Sequence, residues 1–262
     1  MKITKMIRNK TSIAIAICCL GSLAATNVGQ AGLSQLDIGY YTDYSFDVSV
    51  QGIVHNGAIA SAFSATLTGG EALPNGHPNP FTTFCVDFDP TLYAGNGWWK
   101  SGNFNDVALT QDTGVPVRQG VAGLQYAEEL YSTYVGGIPA GGWTSAQKQE
   151  GAALQLAIWE VLYELPGTGA FNVLSGTGFI SNTANSITTR ANQMLSILSF
   201  GSPNTSLNTT FWNATDASGT ARYSQDLIGP FAPVPEPTTI VAGALLLLPF
   251  LASTIRRKIK VS

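Results

Sequence analysis

At 262 residues the chain is long enough for one large domain or two small ones. Residues 32–233 hold five basic side chains (Lys100, Arg118, Lys148, Arg190, Arg222) against fifteen acidic ones, a net charge of −10, although the whole chain carries only −3. A body this acidic and lysine-poor excludes nucleic acid as a partner, because that binding rests on Lys and Arg neutralising phosphates.

The chain opens with Lys2, Lys5, Arg8 and Lys10, then an apolar run from Ile13 to Ala25 and small residues up to Ala31. That order predicts a signal peptide over 1–31, cut after Ala31, with Ala25 as the alternative site. Cys18 and Cys19 leave with it. Ala16-Ile17 before them fit a lipobox poorly, so a lipid anchor there is the weaker reading. The mature chain then keeps one cysteine, Cys85, which is unusual in an exported protein.

Leu36 to Ile53 is rich in Tyr, Val, Phe and Ile and alternates at Phe46, Val48 and Val50, predicting one or two strands. His55-Asn56-Gly57 reads as a turn, with 61–68 as the hairpin partner. After a Gly/Pro/Asn loop over 69–80, residues 81–88 predict a strand with Phe84, Val86 and Phe88 on one face. Cys85 falls on the other face beside Thr83 and Asp87, the polar side of this pattern. Residues 89–116 read as a long irregular loop containing Trp98-Trp99.

Val117 to Val135 carries apolar residues at helical spacing and ends at Gly136-Gly137. Thr144-Ser145-Ala146-Gln147 is a capping-box signature for a helix running to about Leu165, with Ala152, Leu156, Trp159 and Tyr163 on one stripe and Gln155 beside it. Residues 181–200 predict a third helix. Asn204 to Thr215 reads as turns and Tyr223 to Ile228 as a last short strand. Strands, then helices, then a strand predict an α+β domain over 32–229, an antiparallel sheet or sandwich layer with a helical layer packed on it.

Residues 230–237 form a Pro-rich linker. Residues 238–256 are almost wholly apolar, predicting a transmembrane helix, and a basic tail at 257–262 is expected to stay cytoplasmic. Pro235-Glu236-Pro237, apolar helix and basic tail, in that order, are similar to the PEP-CTERM sorting signal. The resemblance implies processing by an exosortase-type enzyme in a Gram-negative envelope. The alternative is a permanent single-span anchor.

Two motifs inside the domain point to chemistry. Phe84-Cys85 is an aromatic residue followed by the lone cysteine. Seventy positions on comes Leu154-Gln155-Leu156-Ala157-Ile158-Trp159. The pair resembles the bacterial surface thioester domain of the TQXA type. A closing Gln225-Asp226-Leu227-Ile228 segment is also similar to what such domains show before their linker. The resemblance implies that the Cys85 sulfur is acylated by the Gln155 side chain with loss of ammonia, in a pocket supported by Phe84, Leu154 and Trp159. The resulting thioester would tether the chain covalently to an amine or hydroxyl of a surface protein or polysaccharide. Leu154 stands where well-known members have Thr.

Such a reaction needs close positioning, since a carboxamide is a poor acceptor and held intramolecular pairs reach effective molarities of about 10⁵ M. A cross-link over roughly 71 residues would add about 4 kcal/mol in the loop-entropy view. The partner's attack consumes the bond, so the expected device is a single-turnover tether and not an enzyme, without cofactor or metal. The competing reading is a non-covalent structural or carbohydrate-binding matrix protein with an inert Cys85, in which Trp98 and Trp99 stack on sugar rings. A Cys-His nucleophile would need His55 or His77, and His77 sits between prolines in a loop. Asp87-Phe88-Asp89 lacks the flanking pattern of a calcium loop.

Overall fold

The computed structural model describes residues 33–41, 43–69, 79–87, 95–102, 120–164, 170–199, 201–203, 209–215, 218 and 225–230. The leader, the sorting motif (Pro235, Glu236, Pro237), the apolar segment 238–256 and the basic tail lie outside these residues, as does His77. Among the described residues no helix is long and apolar enough to cross a membrane.

The strands are β1 (Leu33–Tyr40), β2 (Ser45–Val50), β3 (Ile53–Ile59), β4 (Phe63–Gly69), β5 (Phe81–Cys85), β6 (Gly95–Gly102), β7 (Phe179–Ser181), β8 (Thr209–Thr215) and β9 (Leu227–Pro230). The α-helices are α1 (Gly120–Tyr134), α2 (Ser145–Tyr163) and α3 (Ser186–Leu195). Every strand pairing is antiparallel. This is an α+β fold with antiparallel sheets and three helices among the described residues, in which the expected sheet or sandwich layer takes the form of a barrel and a second sheet. Strands β1-β4-β5-β9-β8-β6 close on themselves, and a separate three-stranded sheet runs β3-β2-β7.

Closure follows from two strands that local pattern does not announce. β6 contains Gly95, Asn96, Gly97 and Gly102, which disfavour a strand on their own, whereas β8 opens with strand-favouring Thr209, Thr210, Phe211 and Trp212 set in an Asn/Thr-rich stretch. Pairing decides both: β6 runs against β1 and β8, and β8 against β9. Within the expected loop at 89–116 and the expected turns at 204–215, residues 95–102 and 209–215 are corrected to strands, and the rest of both ranges lies outside the described residues.

The turn is also moved. β2 and β3 reverse at Gln51-Gly52, where φ is +53° and +85°, as a two-residue turn of the kind that suits strand twist requires. His55-Asn56-Gly57 lies inside β3, where the register shifts and the Gly57 N–H donates to Asp47 Oδ1 at 2.9 Å. β4 pairs instead with β1, Tyr40 opposite Phe63, and on its other edge with β5.

Alternation along the barrel strands sends Leu36, Ile38, Phe63, Ala65, Phe81, Cys85, Trp99, Trp212 and Leu227 to one packed interior. The other face of β5, with Phe84 and Val86, joins the larger core built by the helices. Helix α2 is the centre of that core. Every residue from Gly151 to Tyr163 is buried, as for a helix covered on all sides. Thr144 caps its start: the Thr144 hydroxyl accepts from the Gln147 N–H, and the Gln147 side chain accepts from the Thr144 N–H. Gly178 lies so close to the C-terminus of α2 that a Cβ there would meet the Tyr163 carbonyl.

Candidate functional site

β5 is anchored from several directions. The Thr83 hydroxyl donates to the Ile228 carbonyl at 2.6 Å, and the Thr82 hydroxyl to the Ile138 carbonyl at 2.7 Å. Tyr131 donates to the Thr82 carbonyl at 2.8 Å and Tyr163 to the Val86 carbonyl at 3.3 Å. Cys85 ends the strand, wholly buried.

The main chain of Cys85 faces a gap. Val86 N–H donates to the Asp226 carbonyl, so the Cys85 N–H and C=O point to the opposite edge, toward β4. The register Phe63↔Thr83 would set Ser61 opposite Cys85, but β4 begins only at Phe63. The Gln155 side chain fills the place. Its Oε1 accepts the Cys85 N–H at 2.9 Å and its Nε2 donates to the Cys85 carbonyl at 2.8 Å. A fully buried carboxamide here completes the ladder, and its hydrogen bonds offset the cost of its desolvation.

The thiol points elsewhere. Cys85 Sγ lies 2.6 Å from Gln225 Oε1, across 140 positions of sequence. The Gln225 Nε2 donates to the Asp87 carbonyl at 3.2 Å. Gln225 enters β9, which lies beside β5 with Cys85 opposite Leu227. The carboxamide expected to meet the sulfur, Gln155, thus holds the cysteine's main chain, and Gln225 faces the sulfur. Sequence pattern missed this role. Its one trace was the likeness of the Gln225-Asp226-Leu227-Ile228 segment.

The expected polar face is corrected too. The Cys85 side chain packs in the barrel interior with Trp99, Trp212, Leu36, Ile38, Phe81 and Leu227. Phe84, Leu154 and Trp159 belong to the core on the helix side of β5. There Phe84 meets Tyr131 edge-on at 6.2 Å and Trp159 lies 6.3 Å from Phe179. They support the strand that carries the cysteine, not the sulfur itself. Trp99 is buried in the barrel, so it is no sugar platform, while Trp98 is half-buried.

Two carboxyls share the site. Asp87 is 4% exposed and Asp226 is fully buried, and Asp87 Oδ2 accepts the Asp226 N–H at 2.9 Å. Burial first, then the charges of Asp87 and Asp226, push the Cys85 thiol well above its ordinary pKa. Both effects disfavour a thiolate at this position. Among the described residues no group of three or more His, Cys, Asp or Glu side chains is placed to hold a metal ion. Comparison of the chain with protein-family models, with curated proteins and with solved structures finds no match.

Proposed function

We propose that the domain carries an internal thioester between Cys85 and Gln225 and uses it once, to attach itself covalently to an amine or hydroxyl on a partner surface. The observation that carries this reading is the 2.6 Å between Sγ and Oε1. That is short for a hydrogen bond from a sulfur as large as a thiol's, and close to the separation of a sulfur and an oxygen bonded to one carbonyl carbon. Adjacent strands β5 and β9 supply the rigidity that such proximity requires. The barrel's aromatic filling shields the sulfur from water, while Gln225 is half-buried and gives a partner's nucleophile a way in.

Closure forms the Sγ–Cδ bond and releases the amide nitrogen as ammonia. The partner's nucleophile then takes the acyl group from sulfur and leaves a free thiol. Nothing regenerates the bond, so this is a tether and not an enzyme. The leader-like and sorting-like ends support delivery through the envelope to the cell surface or matrix, with the C-terminal apolar segment held in the membrane until an exosortase-type enzyme acts.

Intact mass tests the reading. The wild-type chain is expected to be lighter by one ammonia and to gain methylamine at Gln225, and both Cys85→Ala and Gln225→Ala are expected to keep full mass and ignore methylamine. A wild-type chain of full mass with a thiol that titrates freely after mild unfolding would falsify it.

A further inference from the structure

Closure of the cross-link has a proton to move. Sulfur adds as a thiol and nitrogen leaves as ammonia, so one proton must travel from Sγ to Nε2. Bulk water is a poor courier here, because Cys85 is wholly buried.

Asp87 touches the leaving-nitrogen end of that path and lies two residues from the thiol. It stands just past the end of β5. Its main-chain carbonyl accepts from the Gln225 Nε2 at 3.2 Å, which aims the leaving nitrogen at Asp87. Its carboxyl, 4% exposed, accepts the Asp226 N–H at 2.9 Å and so fixes the residue after Gln225. The thiol feels that charge: after burial itself, Asp87 is the largest cause of its raised pKa, ahead of Asp226.

We propose that the Asp87 carboxylate relays the thiol proton of Cys85 to the amide nitrogen of Gln225 as the thioester closes. The inference rests on the Cys85–Gln225 reading above. The carboxylate takes the proton as the Sγ–Cδ bond forms. It returns the proton to nitrogen as the Cδ–Nε2 bond breaks, and ammonia departs with the carboxylate regenerated. No oxidant, reductant or metal enters the balance. Asp87 is a proton-relay and positioning residue, distinct from Gln155, which holds the strand.

Ammonia is the leaving group, so it also resets the system. The full-length chain is opened in concentrated ammonium buffer, which restores Gln225 and the thiol. Ammonium is then removed, and closure is followed by intact mass over time. Asp87→Asn keeps an oxygen for the Asp226 N–H but cannot take a proton. It is expected to close about 100-fold more slowly than wild type, the lower end of general acid–base contributions. Asp87→Glu is expected to recover part of the rate, and it serves as the test variant should Asp87→Asn fail to fold.

Melting of Asp87→Asn in a Cys85→Ala background is expected to match Cys85→Ala alone, which separates proton transfer from folding. Closure of Asp87→Asn at the wild-type rate overturns the inference and leaves the thioester standing. So does slow closure in Asp226→Asn with a normal rate in Asp87→Asn. A wild-type chain that never loses ammonia overturns both readings.

Discussion

Glu160 shows how much a single buried group weighs in this domain. It lies in α2 with no exposed surface. One oxygen accepts the Asn172 N–H at 2.8 Å and the other has no hydrogen-bond partner among the described residues. Burial, with a smaller push from Glu164, raises its pKa to about 8 against the opposing Asn172 hydrogen bond. The folded pKa is above the unfolded one, so the folded chain holds a proton that the unfolded chain gives up. Its stability contribution is complete below the unfolded value of about 4.5 and is lost as pH rises to about 8. Glu160→Gln is expected to remove that loss. Its unfolding free energy should match wild type near the low end of this window and exceed it at the high end, by a difference on the order of a few kcal/mol. Equal melting curves for the two proteins across the window would contradict the assignment. Gln155 is a second buried polar residue with a different logic, since both ends of its carboxamide are satisfied by one backbone residue.

At the scale of elements, α2 organises the site through its ends as much as its faces. Its capping box at Thr144 and Gln147 sets where the helix begins, and so where Gln155 sits relative to β5. Thr144→Ala is expected to lower stability by about 1 kcal/mol, read as a fall in the denaturation midpoint without a change in slope. At the other end Glu164 accepts the N–H groups of Thr177, Gly178 and Phe179, which fixes the approach to β7. Helices α1 and α2 were legible from apolar spacing, within a few residues of their observed ends, while the third, expected over 181–200, spans only Ser186–Leu195, and Ser181 closes β7 instead. Strands β6 and β8 were not, because the adjacent pairs Trp98-Trp99 and Phe211-Trp212 give no period-two contrast and Gly95, Asn96 and Gly97 weaken β6, so pairing with barrel neighbours decides both.

On the scale of the whole molecule, a bond between Cys85 and Gln225 would close a loop of 140 positions and staple the first half of the barrel to its last strand. In the chain-entropy view such a loop contributes about 5 kcal/mol, somewhat more than the Cys85–Gln155 loop expected from the motifs. Treatment with methylamine is therefore expected to lower the melting temperature of the wild-type chain markedly and to leave Cys85→Ala unmoved. An unchanged wild-type curve after confirmed methylamine uptake would show that the closed barrel alone sets stability. The acidic, lysine-poor body is consistent with this chemistry, since few of its own amines compete for the acyl group.

By itself the sequence determined the α+β class, the three helices and the capped start of α2, local facts carried by spacing within a single segment, and the resemblance to thioester domains marked one cysteine in a strand and one glutamine in a helix. Which carboxamide the sulfur meets was decided only by tertiary structure. That choice depends on β4 stopping two residues short of Cys85 and on β9 arriving from far along the chain to lie beside β5. The first leaves a gap in the ladder for Gln155 to fill, the second brings Gln225 to the thiol, and neither strand register nor long-range pairing is written in the residues around either glutamine.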